Sequence, residues 1–163
     1  MGEFQLRAYR AEDHDQVLAL HRTGLAHVGI RPGDGIYYEH DLTDPDTFRS
    51  LYLGARSRFL VGEHHGRLIA IGGLKQIDDR TAEIVRMRVH PDFQGRGFGR
   101  RLLVALEEEA HSLGYHVIQL DSSSLQQRAV HLYRSHGYQE THRRQVGGAE
   151  VIYFRKYLPR QSR

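Results

Sequence analysis

The sequence contains no cysteine. The chain can therefore form no disulfide, no thiolate metal site and no cysteine nucleophile. Lysine is also scarce: it occurs only at positions 75 and 156, so 21 of the 23 basic residues are arginines. Neither lysine stands between a glycine and a serine or threonine, as the lysine of a P-loop does, which excludes that class of nucleotide site.

Long apolar runs are missing as well. No stretch approaches the roughly 20 apolar residues that cross a bilayer, and the first residues, MGEFQLRAYR, lack the apolar core of a secretory signal. We therefore expect a cytoplasmic protein with no membrane partner. Of the 163 residues, 26% are charged and 39% are apolar, which is typical of a soluble globular protein. We expect a single domain over residues 1–163, with a frayed basic tail at 158–163.

The net charge of the chain does not identify a class of binding partner. The formal net charge is +3, from 23 basic and 20 acidic residues. Such a surplus mildly favours anionic partners, but the sequence lacks the interleaved aromatic and basic residues of an RNA-binding sheet. His64 and His65 lie side by side on a predicted turn, with no evident third ligand for a metal ion. We expect neither a nucleic-acid partner nor a metal.

The periodicity of apolar residues predicts strands and helices in the order β-α-α-β-β-β-α-β-α-β-β. The predicted strands are 4–9, two within 58–77 that meet in a tight turn at Glu63–Gly66, Thr81–Val89, His116–Asp121, YQETHRR and AEVIYFRKYL. The predicted helices begin near Ala11, Pro45, Gly97 and Ser123, and Gly29–Asp46 is a predicted loop. This order indicates a mixed α/β or α+β fold.

Side-chain spacing also predicts which faces are buried. Strict alternation on the strand Thr81–Val89 places Glu83, Val85, Met87 and Val89 on one face and Ile84, Arg86 and Arg88 on the other. The helix after Gly97 has Leu102, Leu103, Leu106, Ala110 and Leu113 on one face, and the helix after Ser123 has Leu125, Ala129, Leu132 and Tyr133.

The segment HPDFQGRGFGRRLL, residues 90–103, has three glycines in five positions between a strand and a helix. The first turn of a helix carries backbone N–H groups without intrahelical partners and a partial positive charge. Glycines let a phosphate approach those groups without meeting a Cβ atom, so a pyrophosphate is the ligand that this arrangement favours. A dinucleotide-binding loop would need a small residue where Arg100 stands and would follow the first strand of a βαβ unit, whereas this loop follows an apparent antiparallel meander.

The hexamer Gln94-Gly95-Arg96-Gly97-Phe98-Gly99 matches the pattern Q/R-x-x-G-x-G/A of the GCN5-related N-acetyltransferase (GNAT) family, which the chain resembles. AEIVRMRVHPDFQ resembles the family's fourth strand, AVHLYRSHGYQE resembles a later helical segment, and the element order is similar over nearly the whole chain. The resemblance implies a central mixed sheet of six to seven strands flanked by about four helices.

The resemblance also implies acetyl-CoA as the donor. Its pyrophosphate would bind the amides of Gln94–Gly99 and Arg100, and its pantetheine arm would lie along Met87–Val89, which requires that strand to part from His116–Asp121. Many members have an asparagine early in the next helix, where this sequence has Gln126. The implied cofactor-binding residues are Met87, Arg88, Val89, Gln94, Gly95, Arg96, Gly97, Phe98, Gly99, Arg100 and Gln126.

For catalysis, the amine must lose a proton and the leaving thiolate benefits from gaining one. Tyr133 matches the family tyrosine that protonates the thiolate, and a backbone N–H near Met87–Val89 would stabilise the oxyanion; a buried core tyrosine is the structural alternative. Glu83 is a candidate base or, equally, a cross-strand ion-pair partner. Further candidates for the base are Tyr37, Tyr38, Glu39 and His40, and an amine that is already neutral needs none.

The resemblance predicts transfer of an acetyl group to a primary amine of a small molecule, such as an amino acid, a polyamine or an antibiotic, by direct attack in a ternary complex. The alternatives are a protein or peptide amine as the acceptor, or a non-catalytic module that senses acyl-CoA. A homodimer is common in the family. The acidic residues of the loop Gly29–Asp46 suggest a cationic acceptor: Asp34, Glu39, Asp41, Asp44 and Asp46.

Overall fold

The computed structural model of the protein describes residues 3–31, 33–35 and 38–160. Within them, the strands are β1 Gln5–Ala8, β2 Arg58–His64, β3 Arg67–Gln76, β4 Thr81–Val89, β5 Val117–Ser123, β6 Gln139–Val146 and β7 Ala149–Tyr157. The helices are α1 His14–His27, α2 His40–Thr43, α3 Pro45–Tyr52, α4 Phe98–Ser112 and α5 Gln127–Ser135. Short 3-10 turns precede α1 and follow β4.

The seven strands form one mixed sheet in the order β1-β2-β3-β4-β5-β7-β6. Neighbouring strands are antiparallel except β4 and β5, which are parallel. This confirms the predicted mixed fold. The single-turn helix α2 was not predicted: it interrupts the segment Gly29–Asp46, whose Gly, Pro and Asp residues are typical of a loop.

Helices pack on both faces of the sheet. On one face, α4 buries Leu102, Leu103, Leu106 and Ala110, as their spacing predicts. On the other face, α1 and α3 contribute Val17, Leu20, Phe48 and Tyr52 to a second cluster. Leu125 was predicted to be buried, but it is 45% exposed. The reason is that α5 begins only at Gln127, so Leu125 precedes the helix and does not share its inward face.

The turn between β2 and β3 is the predicted tight one. His65 and Gly66 both have positive φ angles, 53° and 75°, which match the right-handed twist of a two-residue hairpin. At the C-terminus, the amide of Leu158 donates to the carbonyl of His116 at 2.8 Å. Residues 161–163 of the predicted tail lie outside the described residues.

β4 and β5 separate soon after they pair. Their register runs only from Thr81–Glu83 opposite Val117–Gln119, although both strands continue for several residues. From this fork onward, β4 pairs with β3 on one side only. The sheet therefore opens a gap between the two parallel strands, as the family resemblance requires.

A β-bulge in β4 lies just beyond the fork. Val85 pairs with Gly73 and Arg88 pairs with Ile71, so β4 has one residue more than β3 between these two pairs. Within this segment, Arg86 has a left-handed φ of 56°. An extra residue reverses the alternation of side chains after it. The predicted common face is therefore wrong: Val85 packs with the α1–α3 cluster, whereas Met87 and Val89 pack with the α4 cluster.

No group of three or more His, Asp or Glu side chains in the described ranges is placed to hold a metal ion. The helices of the same ranges are all too short or too polar to cross a bilayer.

Candidate active site

The gap between β4 and β5 continues into a groove of about 640 Å³. Its walls are the end of β4, the glycine-rich loop, the first turns of α5 and the end of α1. Eight of the residues predicted to bind the cofactor or act in catalysis line it together: Met87, Arg88, Val89, Gln94, Gly95, Gly99, Gln126 and Tyr133. We call this cavity the donor groove.

The glycine-rich loop turns β4 into α4 through two left-handed residues. Gly95 has a φ of 77° and Gly97, the N-cap of α4, a φ of 82°. A side chain at Gly97 would meet no atom within 4 Å, so the need for glycine there comes from the backbone conformation, which L-residues adopt only at a cost. Gly99 in the first turn of α4 lines the groove, so the helix N-terminus, whose first amides have no intrahelical partners, lies beside it.

Besides Gly97, three predicted residues of this loop do not belong to the lining of the groove. The ring of Phe98 stacks on Phe4 with centroids 4.3 Å apart. The guanidinium of Arg96 lies over the ring of Phe93 at 5.1 Å. Arg100 is exposed and does not belong to the lining of the groove.

Backbone groups at the end of β4 face the gap. The amide of His90 donates to the carbonyl of Ile69 at 2.7 Å, so by alternation the N–H and C=O groups of Met87 and Val89 point away from β3. The carbonyl of Val89 accepts from the Gln94 side chain at 3.2 Å. Gln94 thus ties the glycine-rich loop to the strand edge along which a pantetheine arm could pair.

Tyr133 and Gln126 border the groove from α5. The hydroxyl of Tyr133 lies 4.0 Å from the sulfur of Met87, and the residue is only 4% exposed. The side-chain oxygen of Gln126 accepts from the hydroxyl of Ser122 at 3.1 Å and from the amide of Ser123 at 3.3 Å. Tyr133 is therefore buried as a core residue would be, yet it forms part of the groove wall.

A second cavity, of about 290 Å³, lies on the other side of β4. We call it the acceptor cavity. Tyr38, His40 and Asp41 from the segment around α2 line it, with Tyr52, Lys75, Arg86 and Asp121. The two cavities share four lining residues, which mark the place where they meet: Met87, Arg88, Gln126 and Tyr133.

One wall of the acceptor cavity is fixed by Arg86 on the bulge. Its guanidinium binds both carboxylate oxygens of Asp41, at 2.7 and 3.0 Å, and also donates to the carbonyl of Tyr38. Tyr52 donates to the same carboxylate at 2.6 Å. Burial alone would raise the pKa of Asp41, but the hydrogen bonds and charge of Arg86 outweigh it, and the pKa lies below its usual range.

Two further carboxylates lie near the fork. Glu83 forms an ion pair with Lys75 at 3.2 Å and accepts from the side chain of Gln119 at 3.2 Å; it does not belong to the described lining of either cavity. Asp121 lines the acceptor cavity. Burial raises the pKa of Asp121 above its usual range, and the charge of Glu83 raises it further.

The acidic residues of the loop Gly29–Asp46 all have partners within the chain. Asp34 accepts from the amide of Arg31, Glu39 from Arg22, Asp41 from Arg86, Asp44 from Thr47 and Asp46 from Arg49. Three of these carboxylates are ion-paired with arginines, Glu39, Asp41 and Asp46, and the hypothesis of a cationic acceptor stays a prediction. Of the alternative bases, Tyr38 and His40 line the acceptor cavity, and Tyr37 lies outside the described residues.

Sequence reasoning missed several residues of the site. Arg128 on α5 brings its guanidinium to 3.5 Å from the point that a Cβ of Gly95 would occupy, which places a cation beside the glycine-rich loop. His27 and Val28 reach the donor groove from the end of α1. Asp121 could have been noticed as an acid that follows the apolar positions of a short strand, but its neighbours across the fork come from distant parts of the chain.

These features fit an acyl-CoA molecule. Left-handed glycines at a helix N-terminus, together with Arg128, suit a pyrophosphate, and a strand edge with outward-facing amides suits a pantetheine arm. The residues that would hold it are Met87, Val89, Gln94 and the amides up to Arg100.

Comparisons with known proteins agree with this assignment. The model of the acetyltransferase (GNAT) family matches residues 28–138. An IAA acetyltransferase of Azospirillum brasilense is 33% identical over 82 residues, 50% of this chain and 54% of that protein. The L-amino acid N-acyltransferase MnaT of Escherichia coli is 46% identical over 50 residues, 31% of this chain and 29% of that protein. The matched segments thus span about half the length of these relatives or less.

Solved structures share the fold. A GNAT-family acetyltransferase of Staphylococcus aureus has a TM-score of 0.82 at 15% identity, covering 96% of this chain and all of that one (100%). The protein yncA of Salmonella typhimurium, solved with its cofactor acetyl-CoA, has a TM-score of 0.74 at 20% identity, covering 98% of this chain and 96% of that one.

Proposed function

The chain belongs to the acetyltransferase (GNAT) family, and from that premise we propose that it transfers an acetyl group from acetyl-CoA to the primary amine of a small molecule, with both substrates bound at once. The observation that carries the proposal is the meeting of the donor groove and the acceptor cavity at Met87, Arg88, Gln126 and Tyr133. An amine in one cavity and a thioester in the other would be adjacent there, which favours direct attack.

The chemistry forms one N–C bond and breaks the C–S bond of the thioester, while the amine loses one proton and the thiolate gains one. Tyr133 is the proposed proton donor to the thiolate, since its hydroxyl lies at the meeting point of the cavities. The outward-facing amides near Met87 are the proposed donors to the carbonyl oxygen. The base that takes the amine proton is left open between the two carboxylates near the fork, Glu83 and Asp121.

A small acceptor suits the volume of the acceptor cavity. Sites for small molecules begin at roughly 300 Å³, and the acceptor cavity has about 290 Å³. MnaT, one of the relatives, is named for its action on L-amino acids, so amino acids belong at the head of any acceptor screen.

The test is the release of free thiol from acetyl-CoA in the presence of amino acids, polyamines, aminoglycosides and a peptide with a free amine. We expect turnover with at least one small amine. A clear preference for the peptide would favour a protein acceptor instead. Tight CoA binding without thiol release for any amine would favour a non-catalytic acyl-CoA-binding module.

A further inference from the structure

Asp121 is the first side chain on its face of β5 beyond the fork. Gln119 is the last residue of β5 that pairs with β4, and because strand side chains alternate, Asp121 is the next one on the face of Gln119. That face borders the acceptor cavity, which Asp121 lines together with Met87 and Tyr133. Its carboxylate therefore lies on the acceptor side of the place where the cavities meet.

The carboxylate of Asp121 differs from that of Glu83 in its partners. Glu83 is bound by Lys75 and Gln119. Across the ranges that the structure describes, no group donates a hydrogen bond to the Asp121 side chain and no cation lies within 4.0 Å of it. A partly buried carboxylate without such compensation costs stability, which is typical of a group kept for a function.

The charged and titratable groups around Asp121 come from six other elements. β4 contributes Glu83, Arg86 and Arg88, and β3 contributes Lys75. Burial raises the pKa of Asp121 most, Glu83 raises it further, and the three cations lower it, with a net upward shift. Asp41 and His40 on α2, Tyr52 on α3 and Tyr133 on α5 line the same cavity, and Tyr153 is its register partner on β7.

We propose that the carboxylate of Asp121 takes the proton from the acceptor amine, directly or through one water, and that Glu83 acts only through Asp121. The step moves one proton from the ammonium nitrogen to a carboxylate oxygen and leaves the nitrogen lone pair free to attack the thioester. The inference rests on the proposed function and assigns its base, which that function leaves open between carboxylates. A base must be ionised before it can act, so its activity rises with pH as Asp121 loses its proton.

The test compares the pH profiles of kcat/KM for the wild type, Asp121→Asn and Glu83→Gln, with an alkyl amine that the enzyme acetylates. With the carboxylate ionised, the protein can use the abundant ammonium form, so kcat/KM is flat between the pKa of Asp121 and that of the amine. Without it, only neutral amine reacts, and kcat/KM climbs tenfold per pH unit up to the pKa of the amine. At pH 7 we expect Asp121→Asn to lose about 10²- to 10⁴-fold in kcat/KM.

Glu83→Gln serves as the matched control, because it removes one neighbouring charge of the same sign. It should keep the flat region, while its acidic limb moves to lower pH since the charge that raises the pKa of Asp121 is gone. Asp121→Glu, which keeps a carboxylate, should restore the flat region at a reduced rate. The affinity for CoA and the far-UV circular dichroism of each variant report whether it is folded.

Three results would overturn the inference while leaving the proposed function intact. The first is a flat profile in Asp121→Asn; the second is a climbing profile in Glu83→Gln with a flat one in Asp121→Asn, which would make Glu83 the base. The third is a wild type that accepts only amines already neutral at pH 7. Failure of the wild type to release thiol with any amine would refute the proposed function itself.

Discussion

Tyr133 combines two roles that sequence reasoning treats as alternatives. Its ring packs near Tyr138 and Phe154, with centroids 5.9 and 6.0 Å away, and it belongs to the core that α4 covers. Its hydroxyl nevertheless borders both cavities and approaches Met87. A buried ring holds the hydroxyl in one position, which is what a proton donor needs.

We expect Tyr133→Phe to lower kcat by roughly 10²-fold, within the range of acid–base contributions, and to leave the Kd for CoA within about twofold, because the ring remains. Steady-state kinetics and calorimetric titration with CoA measure the two quantities. Tyr138→Phe is the matched control: its hydroxyl donates to Glu107 at 2.8 Å, away from the cavities, so its loss should lower stability and not kcat. Equal losses of kcat and CoA affinity in Tyr133→Phe would make the residue purely structural.

At the scale of elements, the fork and the bulge of β4 organise the site. The fork leaves one edge of β4 to the donor groove, and the bulge turns Arg86 into the acceptor cavity. A non-glycine residue with positive φ is strained, and its bidentate ion pair with Asp41 supports that conformation. The pair also ties α2 to the sheet, so the unpredicted helix forms part of the acceptor wall.

The sequence predicts well those features that depend on local pattern. The bounds Thr81–Val89 of β4, the buried face of α4 and the turn at His65–Gly66 all follow from periodicity or glycine. Periodicity does not predict which side chains share a face of β4 with Glu83. The extra residue at Arg86 reverses the side chains that follow it, although the apolar pattern of the sequence continues unchanged. Local pattern does not predict the surroundings of Asp121 either. They depend on the point at which β4 and β5, which are distant in sequence, separate.

Asp41→Asn should destabilise the protein by roughly 2–4 kcal/mol, since it leaves Arg86 buried without its counter-charge. The acceptor KM should rise more than the KM for acetyl-CoA, because α2 lines only the acceptor cavity. Thermal unfolding and steady-state kinetics test both effects. Asp46→Asn, whose partner Arg49 is exposed, should change stability by less than about 0.5 kcal/mol. Similar effects of the two substitutions would contradict the role given to the Asp41–Arg86 pair.

At the scale of the whole molecule, one buried histidine links stability to pH. His21 on α1 is fully buried (0% exposed), and neither ring nitrogen has a hydrogen-bond partner in the described part of the chain. Burial, followed by the charge of Arg88, lowers the pKa of His21 to about 3. Between pH 6.5 and 3, His21 therefore binds a proton in the unfolded chain but not in the folded one. Stability that is present above pH 6.5 is lost as the pH falls toward 3.

Through His21, the free energy of unfolding should fall by about 1.4 kcal/mol for each pH unit below 6.5. We expect His21→Leu to remove that contribution, so its free energy of unfolding in urea should fall less between pH 6.5 and 4 than that of the wild type. His116→Gln, which replaces an exposed histidine, should keep the wild-type slope. The hypothesis fails if His21→Leu has that slope too.

The proposed function requires the donor groove and the acceptor cavity to hold both substrates at once. The most direct test is a matrix of initial rates over acetyl-CoA and an accepted amine, followed by thiol release. Transfer within a ternary complex predicts double-reciprocal lines that intersect, with no acetylated protein when the amine is omitted. Parallel lines, together with an acetyl group covalently bound to the protein in the absence of amine, would contradict the account.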